Sequence, residues 1–463
     1  MADTEQLFAP DNAIARIADF IGDPVYAANF PQTRLRFRND RAAAEVGLAS
    51  LDDEAWVRHF GRFEPLAGSL PQPLALRYHG HQFRTYNPEL GDGRGFLFAQ
   101  VRDAGGRLMD LGTKGSGQTP WSRFGDGRLT LKGGVREVLA TEMLEALGVD
   151  TSRSFSLIET GEALHRGDEP SPTRSAVLVR LNHSHIRIGS FQRLATLDLS
   201  AELERLVAYA LEHYYGEAAG ADAPARLLRH VAVSAARLAA SYMAAGFVHG
   251  VLNTDNINLT GESFDYGPWR FAPTFDPGFT AAYFDHAGLY AFGRQAEAIH
   301  WNLVQLAIAL AKIAETDALV DAVEAFAPAY HVALVDRMLW RLGVVPTSSG
   351  QDAALVQAMQ TALIDSRLPI DRFFFNWRGG DLRGPHDYTA PAFVEFRDLV
   401  TGYRPLTPID HDYWAGSEPC SMLIEEVEAI WTPIAATDDW SMFDEKVAAI
   451  RAMGEAHRPP SVS

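Results

Sequence analysis

The chain has 463 residues, of which 47% are hydrophobic and 22% are charged, a balance typical of globular proteins. Its formal net charge of −18 argues against binding to nucleic acid or anionic membranes, because an acidic surface repels phosphate groups. Cys420 is the only cysteine, which excludes an intrachain disulfide and a cysteine-based zinc cluster. The N-terminus has no signal-like pattern, and together these features predict a protein of the reducing cytoplasm.

Changes in sequence pattern divide the chain into four predicted segments. Proline-rich residues 1–77 are expected to form an N-terminal lead-in that packs on the core, and residues 78–190 a small lobe of mixed strands and helix. Residues 191–390 are expected to form a helical lobe with a catalytic loop. Residues 391–463 are expected to form a divergent helical C-terminal extension whose last residues, 457–463, are disordered.

In the small lobe the predicted elements are two strands joined by a tight turn, a helix and a third strand. Gly105-Gly106 separates the apolar runs 96–101 and 108–111, as in a hairpin. Apolar residues recur at helical spacing over 133–147. Residues 175–181 form a short apolar run typical of a buried strand.

Three long segments of the second half show helical spacing of apolar residues, namely 201–215, 225–245 and 296–314. Between the second and third lies 249–267, predicted to be a loop and a small hairpin that turns at 260–263. A small mixed sheet followed by helices, with a polar loop between the helices, is the element order of an α+β, bilobed protein-kinase-like fold.

The polar loop contains part of the catalytic signature of protein kinases. His249 and Asn256 match the ends of H-R-D-x-x-x-x-N, and Asp265-Tyr266-Gly267 matches D-F-G. Val251 stands where a kinase has its catalytic Asp, and valine cannot accept a proton. The loop therefore keeps the residues that a kinase uses to hold metal ions but lacks the usual base.

Asn256, Asp265 and Asp255 are the candidate metal ligands and base. Amide and carboxylate oxygens suit hard cations such as Mg²⁺, which predicts a metal site at Asn256 and Asp265. Asp255 adjoins one ligand and is predicted to accept the proton of an attacking hydroxyl. The alternative role for all three is to cap turns of the loop.

Lys114, Glu137, Arg180 and Arg187 are candidate phosphate-binding groups. A strand lysine oriented by a helix glutamate holds phosphates in kinase folds, and Lys114 and Glu137 occur in that order. The guanidinium groups of Arg180 and Arg187 suit bidentate contact with phosphate oxygens. Surface positions and salt bridges to the many carboxylates are the alternatives.

Two glycine-rich turns are further candidates for contact with a nucleotide. The first contains Gly91, Gly93 and Arg94, and the second contains Asp126 and Gly127. Glycine allows backbone amides to approach an anion closely. Ordinary tight turns would explain the same residues, since neither segment matches the kinase glycine loop or a Walker A loop.

A series of motifs between residues 78 and 295 carries a resemblance to a known family. The motifs are Tyr78–Phe83, Leu90–Arg94, Thr113–Arg123, Gly125–Arg128, Arg136-Glu137, Ser184–Arg187, His249–Asn256, Asp265–Pro268 and Asp276–Phe279. In this order they resemble the selenoprotein O family (SelO/YdiU), the pseudokinase-like protein adenylyltransferases. The set as a whole is highly specific.

The resemblance implies a kinase-like fold that binds ATP in a reversed orientation and transfers AMP to Ser, Thr or Tyr hydroxyls of protein substrates, with release of diphosphate. It implies Mg²⁺ or Mn²⁺ at Asn256 and Asp265 and a base at Asp255. By the same resemblance, Lys114, Arg180 and Arg187 hold the phosphates, Glu137 orients Lys114, and Gly91, Gly93, Arg94, Asp126 and Gly127 line the nucleotide pocket.

The sequence departs from the family pattern at three places. It lacks an Asn-Pro-Lys-Tyr-like segment and a C-terminal Cys or selenocysteine, and Lys132-Gly133-Gly134 replaces the usual Arg-Ser-Ser. Three alternative functions stay open: an ATP-binding pseudoenzyme without turnover, an atypical kinase that moves the γ-phosphate, and a uridylyltransferase. The sequence indicates neither the protein substrate nor the oligomeric state.

Overall fold

The structure is a mixed α+β arrangement with a sheet-rich N-terminal part and a helical C-terminal part, which confirms the predicted α+β class. It is a computed structural model that describes residues 7–167, 169–384 and 388–458. The strands are β1 (Ala9–Asp11), β2 (Gly22–Pro24), β3 (Arg34–Arg38), β4 (Leu74–Leu76), β5 (Gly80–Gln82), β6 (Thr85–Asn87), β7 (Leu97–Arg102), β8 (Leu108–Lys114), β9 (Leu129–Thr130), β10 (Arg153–Leu164), β11 (Thr173–Asn182), β12 (Phe247–Val248) and β13 (Arg270–Phe271). The α-helices are α1 (Ala18–Ile21), α2 (Asp40–Glu45), α3 (Asp53–Phe60), α4 (Leu131–Ala146), α5 (Ile188–Thr196), α6 (Ser200–Ala210), α7 (Ala223–Ala245), α8 (Gln295–Leu310), α9 (Thr316–Glu324), α10 (Phe326–Leu342), α11 (Ser349–Ser366), α12 (Ile370–Asn376), α13 (Val394–Val400), α14 (Ile424–Thr437) and α15 (Ser441–His457).

Strands from both the predicted lead-in and the predicted small lobe form a single antiparallel sheet. Its order is β2-β4-β7-β8-β11-β10-β3, with β1 paired to β7 and β9 paired to β11. Strands β1 to β4 come from the first 76 residues, so the lead-in supplies part of the sheet itself. The boundaries between the four predicted segments stay predictions.

Helix α4 packs closely on the sheet because its sequence places glycine and apolar residues on that face. The side chain of Thr130 accepts a hydrogen bond from the Gly133 amide and caps the helix start. A Cβ at Gly134 would lie 2.4 Å from the Leu157 methyl Cδ1, so a larger residue there would require the leucine side chain to move. The predicted helix 133–147 and the hairpin of β7 and β8 are both confirmed.

Helices α6, α8, α9 and α10 pack around α7, which has 16 buried residues. The three predicted helices are present, although the first ends in a π turn at Leu211–Tyr215 and the third ends at Leu310 rather than at residue 314. One helical stretch of the described residues, Thr316–Leu342, is long and apolar enough to cross a membrane by length and composition alone, which is weak support for a span. It is divided at Ala325 into α9 and α10, and both helices pack against α7.

The predicted hairpin within 249–267 is wrong. Its two arms pair with other parts of the chain: Asn258 bridges to Arg187, and Ser263 bridges to Thr151. A tight turn closes between the Asn258 carbonyl and the Gly261 amide, 3.2 Å apart, two residues earlier than predicted. The segment therefore joins the end of the sheet to the helices.

The C-terminal helices α14 and α15 return to the sheet region and pack on α4. Arg451 of α15 donates to both carboxylate oxygens of Glu142 on α4, at 2.8 and 2.7 Å, and Arg41 donates to the same carboxylate at 3.0 Å. The predicted disorder of 457–463 is wrong for His457, which is buried at the end of α15, and residues 459–463 lie outside the described residues.

Candidate active site

A polar cleft of about 590 Å³ lies between the sheet and the loop that follows α7. Ten of the twelve predicted site residues line it: Gly91, Gly93, Arg94, Lys114, Asp126, Gly127, Arg180, Arg187, Asp255 and Asp265. The other two, Glu137 and Asn256, contact Lys114 and Asp265 respectively. The structure therefore brings all twelve to one cleft, while their chemical roles stay predictions.

Lys114 and Glu137 form a buried ion pair at the inner end of the cleft. Strand β8 ends at Lys114, and the Lys114 ammonium lies 2.7 Å from Glu137 Oε2 and 3.1 Å from the Tyr266 carbonyl oxygen. The two side chains are 4% and 1% exposed, so each charge depends on the other in a region from which water is excluded. The lysine is thus held at a fixed position beside the loop.

The two arginines also lie in the cleft wall, each against a carboxylate. Arg180 Nη1 is 3.3 Å from Asp265 Oδ1 and 3.5 Å from Glu137 Oε1. Arg187 Nη2 is 3.2 Å from Asp92 Oδ1, and its guanidinium stacks 4.3 Å from the centre of the Tyr78 ring. Both guanidinium groups are buried, so they are preorganised to face an anion in the cleft.

Asp265 is the carboxylate on which the cations converge. Lys114 Nζ lies 3.1 Å from Asp265 Oδ1, and the backbone of Asp265 has a φ of 62°, a left-handed conformation that is strained for a residue other than glycine. Burial acts to raise the pKa of Asp265, but the positive charges of Lys114 and Arg180 outweigh burial and hold it well below its usual value. Asp265 is therefore ionised at neutral pH.

Asn256 and Asp265 fit the expectation for a divalent metal site that is completed by a nucleotide. Asn256 Nδ2 lies 3.5 Å from Asp265 Oδ2, and rotation of the amide by 180° turns its oxygen to the same side. The described ranges contain no group of three or more His, Cys, Asp or Glu side chains suited to a metal ion. Two protein oxygens with phosphate and water as the remaining ligands are what Mg²⁺ commonly uses.

Asp255 lies in a short 3₁₀ turn, Thr254–Asn256, with one carboxylate oxygen free. The turn is fixed by the His81 amide, which donates to Thr254 Oγ1 at 2.7 Å. Asp255 is buried, and its Oδ1 has no hydrogen-bond partner within the described part of the chain. Burial raises the pKa of Asp255 to about 6, although Arg187 opposes this shift. A proton acceptor with such a pKa suits general-base chemistry near neutral pH.

His249 and the predicted phosphate turns have roles in packing. The His249 ring is buried and contacts the Phe264 carbonyl oxygen through Nε2 at 3.0 Å, which ties the loop together. A side chain at Gly91 would lie 2.4 Å from the Trp121 ring, and Gly127 has a φ of 70°. The Asp126 carboxylate is half exposed and pairs with Arg166 at 2.8 Å. Glycine is thus required at Gly91 by close packing of the cleft wall.

Comparison with known proteins gives the family. The family model described as protein adenylyltransferase SelO matches residues 8–386. The chain belongs to the SelO family. A relative from Synechocystis named protein nucleotidyltransferase YdiU is 41% identical, over 95% of this chain and 97% of the relative. A relative of the same name from Gloeobacter violaceus is 44% identical, over 95% of this chain and 94% of the relative.

The cleft of this SelO family member contains functional candidates that the sequence analysis did not single out. They are Tyr78, Asp92, Trp121, Arg123 and Arg166. Most of them lie inside motifs that were recognised for other residues, and Asp92 stands between Gly91 and Gly93. Its partner Arg187 is far away in the sequence, so no local pattern indicates the pair.

Proposed function

We propose that the chain is a metal-dependent protein adenylyltransferase with a bilobed kinase-like fold, which transfers AMP from ATP to Ser, Thr or Tyr hydroxyls and releases diphosphate. Membership of the SelO family makes it a protein nucleotidyltransferase. The observation that carries the finer proposal is the position of Asp255, which shares one cleft with Lys114 and Asp265 and has a free carboxylate oxygen.

In this proposal Asp255 accepts the proton of the acceptor hydroxyl as its oxygen attacks the α-phosphorus of ATP. The bond from that phosphorus to the diphosphate breaks, and AMP remains on the acceptor oxygen. Lys114, Arg180 and Arg187 neutralise the charge that develops on the leaving diphosphate. Val251 needs no proton-accepting side chain, because Asp255 supplies the base.

The cleft has more positive charge than the lysine–glutamate pair alone would give. Arg94 and Arg123 line it, and in the described ranges neither carries an ion pair to a carboxylate. Diphosphate, the leaving group of AMP transfer, departs with more negative charge than ADP, the leaving group of γ-phosphate transfer, and it therefore requires more cations. The two unpaired guanidinium groups support the transfer of AMP over transfer of the γ-phosphate.

Asn256 and Asp265 would hold the metal ion, Mg²⁺ or Mn²⁺, which when bound neutralises charge on the phosphates. Oxygen ligands suit both ions, so the choice between them is made by assay. The test replaces Mg²⁺ by Mn²⁺ or removes both with a chelator. Asp265→Asn should lower transfer at least a hundredfold and weaken metal-dependent ATP binding, whereas unchanged transfer would refute the metal site.

The decisive experiment compares ATP labelled at the α-phosphate with ATP labelled at the γ-phosphate, with the enzyme itself and protein mixtures as acceptors. Incorporation of the α label alone supports adenylyl transfer. Incorporation of the γ label alone would mean an atypical kinase, and no incorporation despite ATP binding would mean a pseudoenzyme. α-Labelled UTP in place of ATP tests uridylyl transfer. A location in the cytoplasm stays a prediction.

A further inference from the structure

Three exposed aromatic side chains lie together on the surface, and the backbone of one of these residues is hydrogen-bonded to the segment that carries the candidate base. They are Phe83, Tyr283 and Phe284, with exposed fractions of 38%, 84% and 42%, and we call them the aromatic rim. The ring centres of Phe83 and Phe284 are 5.7 Å apart, and those of Tyr283 and Phe284 are 5.1 Å apart. Contiguous exposed rings on a folded protein mark an interaction surface.

The rim is held in place from the side of Phe83. Phe83 and Arg84 form the turn between β5 and β6, and both have a positive φ, 50° and 62°, which is strained for bulky residues. The Phe83 amide donates to Asn253 Oδ1 at 3.1 Å, and the Tyr290 hydroxyl donates to the same oxygen at 2.6 Å. These hydrogen bonds offset the strain of a turn that holds a large apolar ring at the surface. A role of the ring in binding would account for that strained conformation.

The loop that carries Tyr283 and Phe284 is also held in place by hydrogen bonds. Tyr283 and Phe284 precede Asp285, whose buried carboxylate accepts hydrogen bonds from the amides of Leu289 and Tyr290, each at 2.8 Å. The Phe83 ring packs edge-on against the buried Tyr290 ring at 5.1 Å. Hydrogen bonds and ring packing therefore hold the segments that carry the three exposed rings in place.

The rim is joined to the segment that carries Asp255 by the hydrogen bond between the Phe83 amide and Asn253. Asn253, which holds Phe83, is two residues before Asp255, so their Cα atoms are at most about 7.6 Å apart. Gln82, next to Phe83, lines the same cleft as Asp255. The β5–β6 turn that carries Phe83 therefore borders the cleft that contains Asp255.

We propose that the aromatic rim binds an apolar side chain two or three residues from the acceptor hydroxyl of the protein substrate. This inference rests on the proposed function. An extended segment advances about 3.3 Å per residue, so such a side chain is about 7–10 Å from the hydroxyl. A separation of that size would let it contact the rim, which is hydrogen-bonded through the Phe83 amide to Asn253, two residues from Asp255. The neighbouring charged residue Arg84 is paired with Glu297 at 3.3 Å, and the three exposed rings offer apolar contact to a substrate side chain.

The experiment measures transfer of α-labelled AMP to synthetic peptides that carry one Thr in a Gly-Ala background. At the positions two and three residues on either side of the Thr, the peptides carry Leu, Gly, Arg or Asp. The double variant Tyr283→Ala/Phe284→Ala removes two rings of the rim, and Tyr283→Phe keeps both rings. Ile308→Ala, 60% exposed at the far end of α8, is the matched control for loss of a surface apolar side chain.

We expect the wild type to favour the Leu peptides about tenfold in kcat/KM over the Gly peptides. The double variant should lose this preference, while Tyr283→Phe and Ile308→Ala keep it. All variants should retain the ATP affinity and the thermal unfolding midpoint of the wild type.

Equal use of Leu and Gly peptides by the wild type, a preference for Arg or Asp peptides, or an unchanged preference in the double variant would overturn the inference and leave the proposed function intact. Labelling of the enzyme itself but of no peptide would also overturn the inference. No label on any acceptor despite ATP binding would overturn the proposed function and the inference with it.

Discussion

Arg187 and Asp92 form a buried ion pair, 3.2 Å apart, that holds the arginine in the wall of the cleft. Asp92 Oδ2 in turn accepts a hydrogen bond from the Leu76 amide at 3.1 Å, which fixes the carboxylate to strand β4. The pair therefore couples the position of a candidate phosphate ligand to the sheet.

Asp92→Asn should lower kcat/KM for ATP about tenfold or more, because Arg187 loses the charge that orients it. The measurement is α-label transfer as a function of ATP concentration. Asp103→Asn is the matched control, since Asp103 is also buried and paired with an arginine but lies in the hairpin turn away from the cleft. Equal activity of the two variants would contradict the positioning role of Asp92.

Asp255→Asn should reduce label transfer by roughly 10² to 10⁴-fold, the usual contribution of a general base. Asparagine keeps the shape of the side chain but cannot accept the hydroxyl proton. ATP affinity, measured by calorimetry, should stay within a few-fold of wild type. Asp276→Asn, at an exposed loop position, serves as the control. Transfer by Asp255→Asn at the wild-type rate would show that another group is the base.

The stability of the Glu262→Gln variant relative to the wild type should increase as the pH rises. Burial and the nearby Asp150 raise the pKa of Glu262 to about 8, whereas an unfolded glutamate has a pKa of about 4.3. The folded state thus binds the Glu262 proton more tightly than the unfolded state does. The resulting contribution to the free energy of unfolding is fully present below about pH 4 and is lost as the pH rises through 8. Glutamine does not titrate and can still accept from the His183 amide.

The free energy of unfolding, measured in urea at pH 6 and pH 8, checks this prediction. The advantage of Glu262→Gln over wild type should grow by about 2 kcal/mol between these pH values. A difference between variant and wild type that is the same at both pH values would mean that Glu262 does not titrate in this range.

Arg451→Met should destabilise the protein by about 1–3 kcal/mol, because the buried carboxylate of Glu142 then keeps only Arg41 as its cationic partner. Denaturant unfolding gives the value. Arg458→Met provides the control, since Arg458 is 61% exposed and 3.8 Å from Glu145, a pair expected to contribute under about 0.5 kcal/mol. Equal effects of the two substitutions would contradict the importance of the Glu142 pair.

The parts of the fold that the sequence predicts well are those set by neighbouring residues. The turn residues Gly105-Gly106 predict the β7–β8 hairpin, and the helical spacing of apolar residues predicts α4. The hairpin predicted within 249–267 fails for the opposite reason. Its polar arms pair with Arg187 and Thr151, which are distant in sequence, and no local pattern indicates this pairing.

The candidate site shows the same division between local and distant signals. Asp255, Asn256 and Asp265 form one short motif, so the sequence indicates them together. Lys114 and Glu137 are common residues at an unremarkable separation, and only the packing of α4 on the sheet makes them a pair. Asp92 was missed, since its importance depends wholly on a partner 95 positions later in the sequence.

The attachment of α15 to α4 has a consequence for the order of events during synthesis. Helix α4 carries Glu137, which pairs with Lys114 of the cleft, and Glu142, which pairs with Arg451 of α15, so α15 supports the candidate site from behind. Ribosomes make α15 some 300 residues after α4, and until then Glu142 lacks Arg451. The carboxylate of Glu142 therefore gains its second cationic partner, and α4 its final support, only after α15 has been made and has packed on α4.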